Sequence, residues 1–499
     1  MADASPPPSS TQSRVISGPS AIGICIASTV GSGIFTVTGF IGPELGTTTN
    51  LMIGWVIGGL VAICGGLAVA ELAAMRPHAS AQYVVVHEAL GPAFGYLKGM
   101  ITLLIGYVSA LAAVAMVAGE YVEHLLPAIE PRWTATALLI ALGIVHGTTV
   151  IGGQRFNDFL VAFKVLLVLA FIVAGFTLMG DPLLPSPELI AAARDFSPGS
   201  TIATIPDGGS PAEIEAHLRN AGGPAAFSGA MGLAVVSISF AYLGWSTAAE
   251  VAGEIRNPGR NLPFAILGSV GLVGILYILV NIVYSSVIPP AAMVEIGPEG
   301  GIEPMADIGS VVADHLLGSM GGALVTGALV FLFISTLSTG MMTGGRVIAA
   351  MCWKGELPEV GGRLNPKGAP TNAIALMTAP ITAIVWFSGL GSLFEYVGLL
   401  TTVAMMVAMT SIIVMRFKAP DLPRPFRMPF YPVPPLVSIG IGLWLVISAA
   451  IEDWIPAAAT AGTIVAILVL RPLLTRAVSD DGSTGPGSGS NPDTTSDVA

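Results

Sequence analysis

Twelve long stretches of this chain contain no Asp, Glu, Lys or Arg: 15–43, 45–70, 99–119, 133–154, 165–180, 220–249, 261–294, 315–345, 368–394, 396–415, 428–451 and 454–470. A charge at mid-bilayer costs roughly 2.5–3.5 kcal/mol on insertion scales, and a helical span needs about 20 predominantly apolar residues. The fifth stretch reaches that length only by starting near Phe159 and carrying Lys164 inside the membrane. The pattern therefore predicts an all-α polytopic membrane protein with twelve transmembrane helices. Composition agrees: charged residues are 10% of the 499, apolar residues 53%, and mean hydropathy is +0.79. Soluble domains carry about 25% charged residues, so an ordinary cytosolic enzyme is excluded. The net charge of −11 argues against nucleic acid as a partner.

An even number of spans puts both termini on one side, and the basic residues choose the side. Sixteen of the 20 Lys and Arg fall in the loops that share a side with the termini. Only Arg132, Arg194 and Arg219 fall in the opposite loops, and Lys164 lies within a span. Positive loops face the cytoplasm, so both termini are expected there, in the cell membrane. Residues 1–14 are polar and Pro-rich, without the basic-then-apolar layout of a signal peptide. Residues 477–499 are rich in Gly, Ser and Asp with no apolar face. Both ends are expected to be disordered, flanking a twelve-helix body at 15–476 with repeats at about 15–180 and 220–417. Segment 180–225 reads as an outer loop with one short helix near Glu213–Arg219. The stretch VVVHEALG reads as a helix lying at the inner membrane surface.

Two spans carry breaks at matching places in the two halves. The first, ICIASTVGSGIFTVTG, has Gly31, Ser32 and Gly33 at its centre beside Thr29; the sixth, SISFAYLGWSTAAE, has Gly244. Irregular backbone at membrane depth is tolerated only where it lines a protein-covered cavity, and paired interruptions in two halves point to a transport site. A broken helix offers N–H groups and a positive helix end to a carboxylate, and free carbonyls to an ammonium group. Such a site suits a zwitterion and needs no side-chain charge.

Four stretches resemble the amino acid–polyamine–organocation (APC) superfamily, in particular its amino-acid permeases. They are GSGIF (Gly31–Phe35), FAYLGW (Phe240–Trp245) followed by GEIRNPGRNLP (Gly253–Pro263), GGRVIAAMCWKGELP (Gly344–Pro358) and PDLPRPFRMPFYPVPP (Pro420–Pro435). The resemblance implies a LeuT-type fold of two inverted five-helix repeats plus two further helices. It implies substrate binding between the broken first and sixth helices. The backbone N–H groups of Ser32 and Gly33 would hold a carboxylate, and carbonyls of Thr29, Phe240 and Leu243 the α-amine. The Phe240 ring would act as an outer gate. A fifth-helix Lys at the position of Lys164 would tie the inner half of the first helix to the eighth helix around Ser335–Thr336, with a coupling role; snorkelling to the interface is the alternative. The chain departs from the acid-resistance and proton-linked antiporters of the family, which place Glu just after the sixth-helix break where Ser246 stands here. Glu250, one turn on, is then a displaced proton carrier or amine ligand, or a residue of the inner vestibule that is solvated or paired with Arg256. The loop GEYVEHLLPAIEPRW lacks the Cys that some family members use to bind an accessory subunit, so no disulfide-linked partner is expected.

The six His form no cluster, and no Walker motif, nucleophile elbow, metal-ligand spacing or repeated pore-lining ring is present. A membrane enzyme, an ATP-driven pump and a channel are therefore disfavoured, and no cofactor is expected. His146 in GIVHGTT reads as a neutral imidazole bonded to a helix carbonyl or a Thr. The expected activity is secondary transport of amino acids by alternating access, by proton symport or exchange. The alternative is a polyamine or other organic amine. Acidic residues within the spans are scarce, chiefly Glu250 and Glu395, which favours neutral amino acids.

Overall fold

A computed structural model describes residues 16–75, 81–148, 154–196, 200–206, 208–250, 252, 255–297, 301–353, 357–365 and 369–481. Glu250 belongs to it by backbone only; its side chain lies outside the described part, as do both tails.

The chain is mostly helical. It opens with α1 (Gly18–Thr29) and α2 (Gly33–Leu45), then α3 (Thr48–Met75), α4 (Ala81–Leu90) and α5 (Pro92–Leu103). A π-helical turn at Leu104–Ser109 joins α5 to α6 (Ala110–Leu125), and α7 (Pro131–Thr148) and α8 (Gln154–Leu178) follow. Helices α9 (Pro187–Phe196) and α10 (Pro211–Arg219) lead to α11 (Gly229–Ala241), the single turn α12 (Thr247–Glu250) and α13 (Pro258–Val287). Strands β1 (Val294–Ile296) and β2 (Ile302–Pro304) form an antiparallel hairpin that pairs Glu295 with Glu303. Then come α14 (Ile308–Trp353), α15 (Thr371–Phe387), α16 (Leu390–Lys418), α17 (Val433–Glu452) and α18 (Trp454–Asp481).

Helix starts follow their caps. The Ser17 and Ser228 hydroxyls accept from the N–H groups of Ser20 and Met231, and Ser210 and Glu213 form a reciprocal capping box on α10. Seven helices among the described residues are long and apolar enough to cross a membrane, counting α5 through α6 as one. Helix α11, α15 and the 163–178 part of α8 are apolar but shorter. Outward faces carry side chains such as Ile144, Leu166 and Ile275, each more than 60% exposed, a surface suited to hydrocarbon.

Helices α1, α3 and α13 pack together, and α6 packs against α7 and α14. Helix α11 lies against α2, α3, α16 and α17. At one end of the molecule α4 packs on α16, where the buried Glu71 carboxylate of α3 accepts from the Arg416 guanidinium (2.7 Å) and the Met428 N–H (2.7 Å). Arg424 stands 3.5 Å from the same carboxylate and donates to the carbonyls of Met415 and Ala419, closing the end of α16. That ionic knot fixes the Pro-rich segment 420–435. A buried carboxylate is tolerable there because it is paired and hydrogen-bonded.

The structure differs from the sequence reading in its connections. The predicted inner-surface helix is α4, and the predicted short outer helix is α10. Segment 180–225 holds a second helix, α9, and 294–304 is a hairpin. Helix α14 begins at Ile308, before the charge-free stretch, and bends at Gly318, whose φ of 71° is left-handed.

Candidate functional site

The two predicted breaks face each other. Helix α1 ends at Thr29, Val30 is extended, and α2 starts at Gly33. The N–H groups of Gly31 and Ser32 meet no acceptor among the described residues. The Ser32 side chain makes no cap bond, is buried, and its hydroxyl has no partner among them. Buried polar groups left this way are uncommon in native proteins, and three sit within two residues.

Opposite, α11 ends at Ala241, and Gly244 takes a φ of 100°, a left-handed conformation open to glycine. A Cβ on Gly244 would strike the Ser28 carbonyl, and one on Gly33 would stand 2.5 Å from Ala241 Cα. Each break thus seats its glycine on the backbone of the other. The predicted ammonium ligands are engaged unequally. The Phe240 carbonyl already accepts from the Leu243 N–H at 3.0 Å, whereas the Leu243 carbonyl accepts from no described residue. The Thr29 hydroxyl donates to the Cys25 carbonyl, and the Thr29 carbonyl faces Tyr277.

Tyr277 of α13 was missed by the sequence reading. Its buried hydroxyl stands 2.9 Å from the Thr29 carbonyl and 2.9 Å from the Ala241 carbonyl, bridging both breaks with one proton. Trp55 and Tyr242 pack on its ring, with centroids 5.4 and 5.2 Å away. Asn281, one turn on, donates to the Tyr277 carbonyl and accepts from the Thr38 hydroxyl of α2 at 2.6 Å. This i, i+4 pair of polar residues on an otherwise apolar helix was the available signal. Tyr277→Phe keeps the ring and removes the bridge. Leaving buried carbonyls unpaired costs about 1–3 kcal/mol, so substrate affinity should fall about tenfold in a binding assay on protein that elutes normally on size exclusion. Unchanged affinity would assign Tyr277 to packing alone.

Phe240 lies under a cluster of rings: its centroid is 4.7 Å from that of Phe394 in α16, which is 5.4 Å from Phe40 in α2. Lys164 is 3% exposed, and its ammonium donates to the Thr336 hydroxyl of α14 at 2.8 Å. The Thr336 methyl borders Gly31, 3.9 Å from where a Cβ would stand. The structure thus joins Thr29, Ser32, Gly33, Phe240 and Leu243 at one pair of breaks, with Lys164 beside it. His146 bonds the Ser338 hydroxyl of α14 at 2.9 Å.

Two broken helices packed break against break within an apolar helical bundle are the arrangement expected of a membrane-transporter site. Residues 16–470 match the family model described as amino acid permease, and the chain belongs to that family, within the APC superfamily. It is an integral, multi-pass membrane protein, and its family is one of transporters rather than enzymes. It is 25% identical over 450 residues to the methylthioribose transporter of Bacillus subtilis, covering 86% of this chain and 87% of that one. It is 26% identical over 418 residues to human large neutral amino acids transporter small subunit 2, covering 82% of this chain and 71% of that one. It is 23% identical over 443 residues to the serine/threonine exchanger SteT of Bacillus subtilis, covering 87% of this chain and 90% of that one.

Proposed function

We propose that this protein is a secondary transporter of neutral amino acids, with twelve membrane crossings in a LeuT-type arrangement and both termini cytoplasmic, in the cell membrane. The observation that carries the reading is the pair of interlocked breaks, with N–H groups at Gly31 and Ser32 on one side and a Leu243 carbonyl on the other that are unpaired among the described residues. A carboxylate at the start of α2 and an ammonium at the end of α11 fit those groups without a buried ion of the protein's own. Phe240, backed by Phe394, closes the site from outside. Names among the relatives support amino-acid cargo, and two of them support neutral or hydroxyl side chains.

Transport proceeds by proton symport or exchange, with Lys164 holding α8 to α14 beside the first break and Glu250 as a second candidate group for coupling or gating. Reconstituted protein should take up labelled neutral amino acids, and internal substrate should accelerate uptake if exchange operates. Uptake of polyamines but not of amino acids would replace the reading with an amine transporter. No saturable uptake of either would overturn it.

The orientation has its own test. Cysteine at Ala212, exposed on α10, should react with an impermeant thiol reagent on intact cells, whereas cysteine at Ser490 should react only after permeabilisation. The opposite pattern would invert the topology.

A further inference from the structure

The outer hairpin and the first turns of α14 form a flap packed on α2, with one histidine pairing to its carboxylates. Met305 of the flap lays its carbonyl against Gly39, and Met293 sulfur reaches within 2.6 Å of a Cβ position on Gly42, so the flap rests on the outer half of α2. Tyr121 of α6 donates to the Phe35 carbonyl of α2 at 2.5 Å and accepts from the Gly309 N–H of α14 at 3.2 Å. The Asp307 carbonyl accepts from Ser310 N–H, opening α14, and Gly318 ends this portion with its bend. At the end of α6, His124 Nδ1 lies 2.6 Å from Asp307 and Nε2 lies 2.8 Å from Asp314. Asp307 immediately precedes α14, and Asp314 lies in its portion before the bend.

We propose that His124 is a proton-dependent latch that seats this flap on α2 and releases it as the outer pH rises.

An ionised carboxylate only accepts hydrogen bonds, and a neutral imidazole donates from one nitrogen. Two bonds from His124 to two carboxylates require the imidazolium. Losing its proton removes one bond and turns a lone pair toward an anion. The surroundings push the same way. Glu120 and Glu123 of α6, Glu295 of β1 and Glu303 of β2 lie close enough to Asp307 or to one another to interact electrostatically, with Glu130 beside Glu123. Glu295 is raised to about 7 by burial and then by Asp307. Its ionisation above that pH adds negative charge beside Asp307 and opposite Glu303, and like charges directly opposed in a hairpin repel. Rising pH therefore removes the cation that pairs with Asp307 and Asp314 and leaves the carboxylates around it without a counter-charge. His315 is not part of the latch; it bonds the Asp181 carbonyl.

The latch rests on the proposed orientation and transport only for its physiological side, so two readouts separate them. In detergent-solubilised protein, cysteine at the buried Ser310 should react with a maleimide faster at pH 9.5 than at pH 7, relative to cysteine at the exposed Ala191. One charge-assisted hydrogen bond corresponds to about a tenfold change in flap opening. His124→Gln should be open at both pH values, and His124→Arg, a permanent forked cation, closed at both. In proteoliposomes, wild-type transport should fall across the same outer pH range, whereas His124→Arg stays flat. A pH-independent Ser310 labelling ratio in the wild type, or the wild-type rise surviving in His124→Gln, would overturn the latch. Normal latch labelling with no transport at any pH would overturn the transport reading instead.

Discussion

Lys164→Ala should lower transport by about 10–100-fold without disassembling the protein, and wild-type transport should proceed without sodium. The geometry sets this expectation. A snorkelling lysine would expose its ammonium at the interface, but Lys164 is 3% exposed and is directed into the protein, onto Thr336. Charged groups inside a membrane protein are costly and usually serve an ion path or a tie between helices. This one links α8 to α14 at the level of Gly31, where the first helix is interrupted. On the proposed reading, a fixed cation at that place would stand in for a bound sodium ion. Hydrogen bonds to charged groups contribute about 1.5–3 kcal/mol, so alanine should lower exchange in proteoliposomes by about 10–100-fold. Thr336→Val keeps the ammonium and removes its acceptor, so it should move in the same direction by a smaller factor. Full activity of Lys164→Ala, or strict sodium dependence of the wild type, would sink this role.

The sequence made the breaks legible because glycine and serine are poor in helix interiors and because the same interruption occurs in two halves. The Lys164 contact was legible for a related reason: one cation in a charge-free stretch must go somewhere, and the resemblance named Ser335–Thr336 as the place. Tyr277 was not legible, because a tyrosine in GILYILVNIV reads as packing until the helices it bridges are assembled. Its two acceptors, Thr29 and Ala241, come from helices 212 residues apart in the chain, and nothing local announces them. The His124 contacts were hidden in the same way, since Asp307 and Asp314 lie far along the chain from it. Charge-free stretches also locate apolar cores rather than helix ends. They missed that α5 begins at Pro92, well before Lys98, and that α14 begins at Ile308. Helix α9 carried a Ser-Pro-Glu start at Ser186–Glu188, where the Ser186 hydroxyl accepts from the Leu189 N–H, but its Pro-rich setting masked it.

Gly33→Ala should eliminate substrate binding, while Ser32→Ala should change affinity by less than about threefold. The two residues are neighbours, and the contrast between them separates backbone recognition from side-chain recognition. A methyl on Gly33 would stand 2.5 Å from Ala241 Cα and 2.8 Å from its Cβ, so one break must move off the other. Overpacking of this kind costs roughly 1–3 kcal/mol, and here the strain falls on the carbonyl that Tyr277 bridges to Thr29. The N–H groups at the start of α2 would then no longer face the end of α11, and a ligand that spans the two loses one of its anchors. Ser32→Ala leaves every N–H in place and removes a hydroxyl that has no partner among the described residues, so the protein loses no internal bond. Gly244→Ala meets the Ser28 carbonyl from the opposite side and carries the added cost of a left-handed φ. It should therefore be at least as damaging as Gly33→Ala. Binding of labelled substrate to purified, monodisperse variants reads all three. If Ser32→Ala removes binding and Gly33→Ala keeps it, the carboxylate is held by the serine hydroxyl, and the interlocked backbones are not the recognition element.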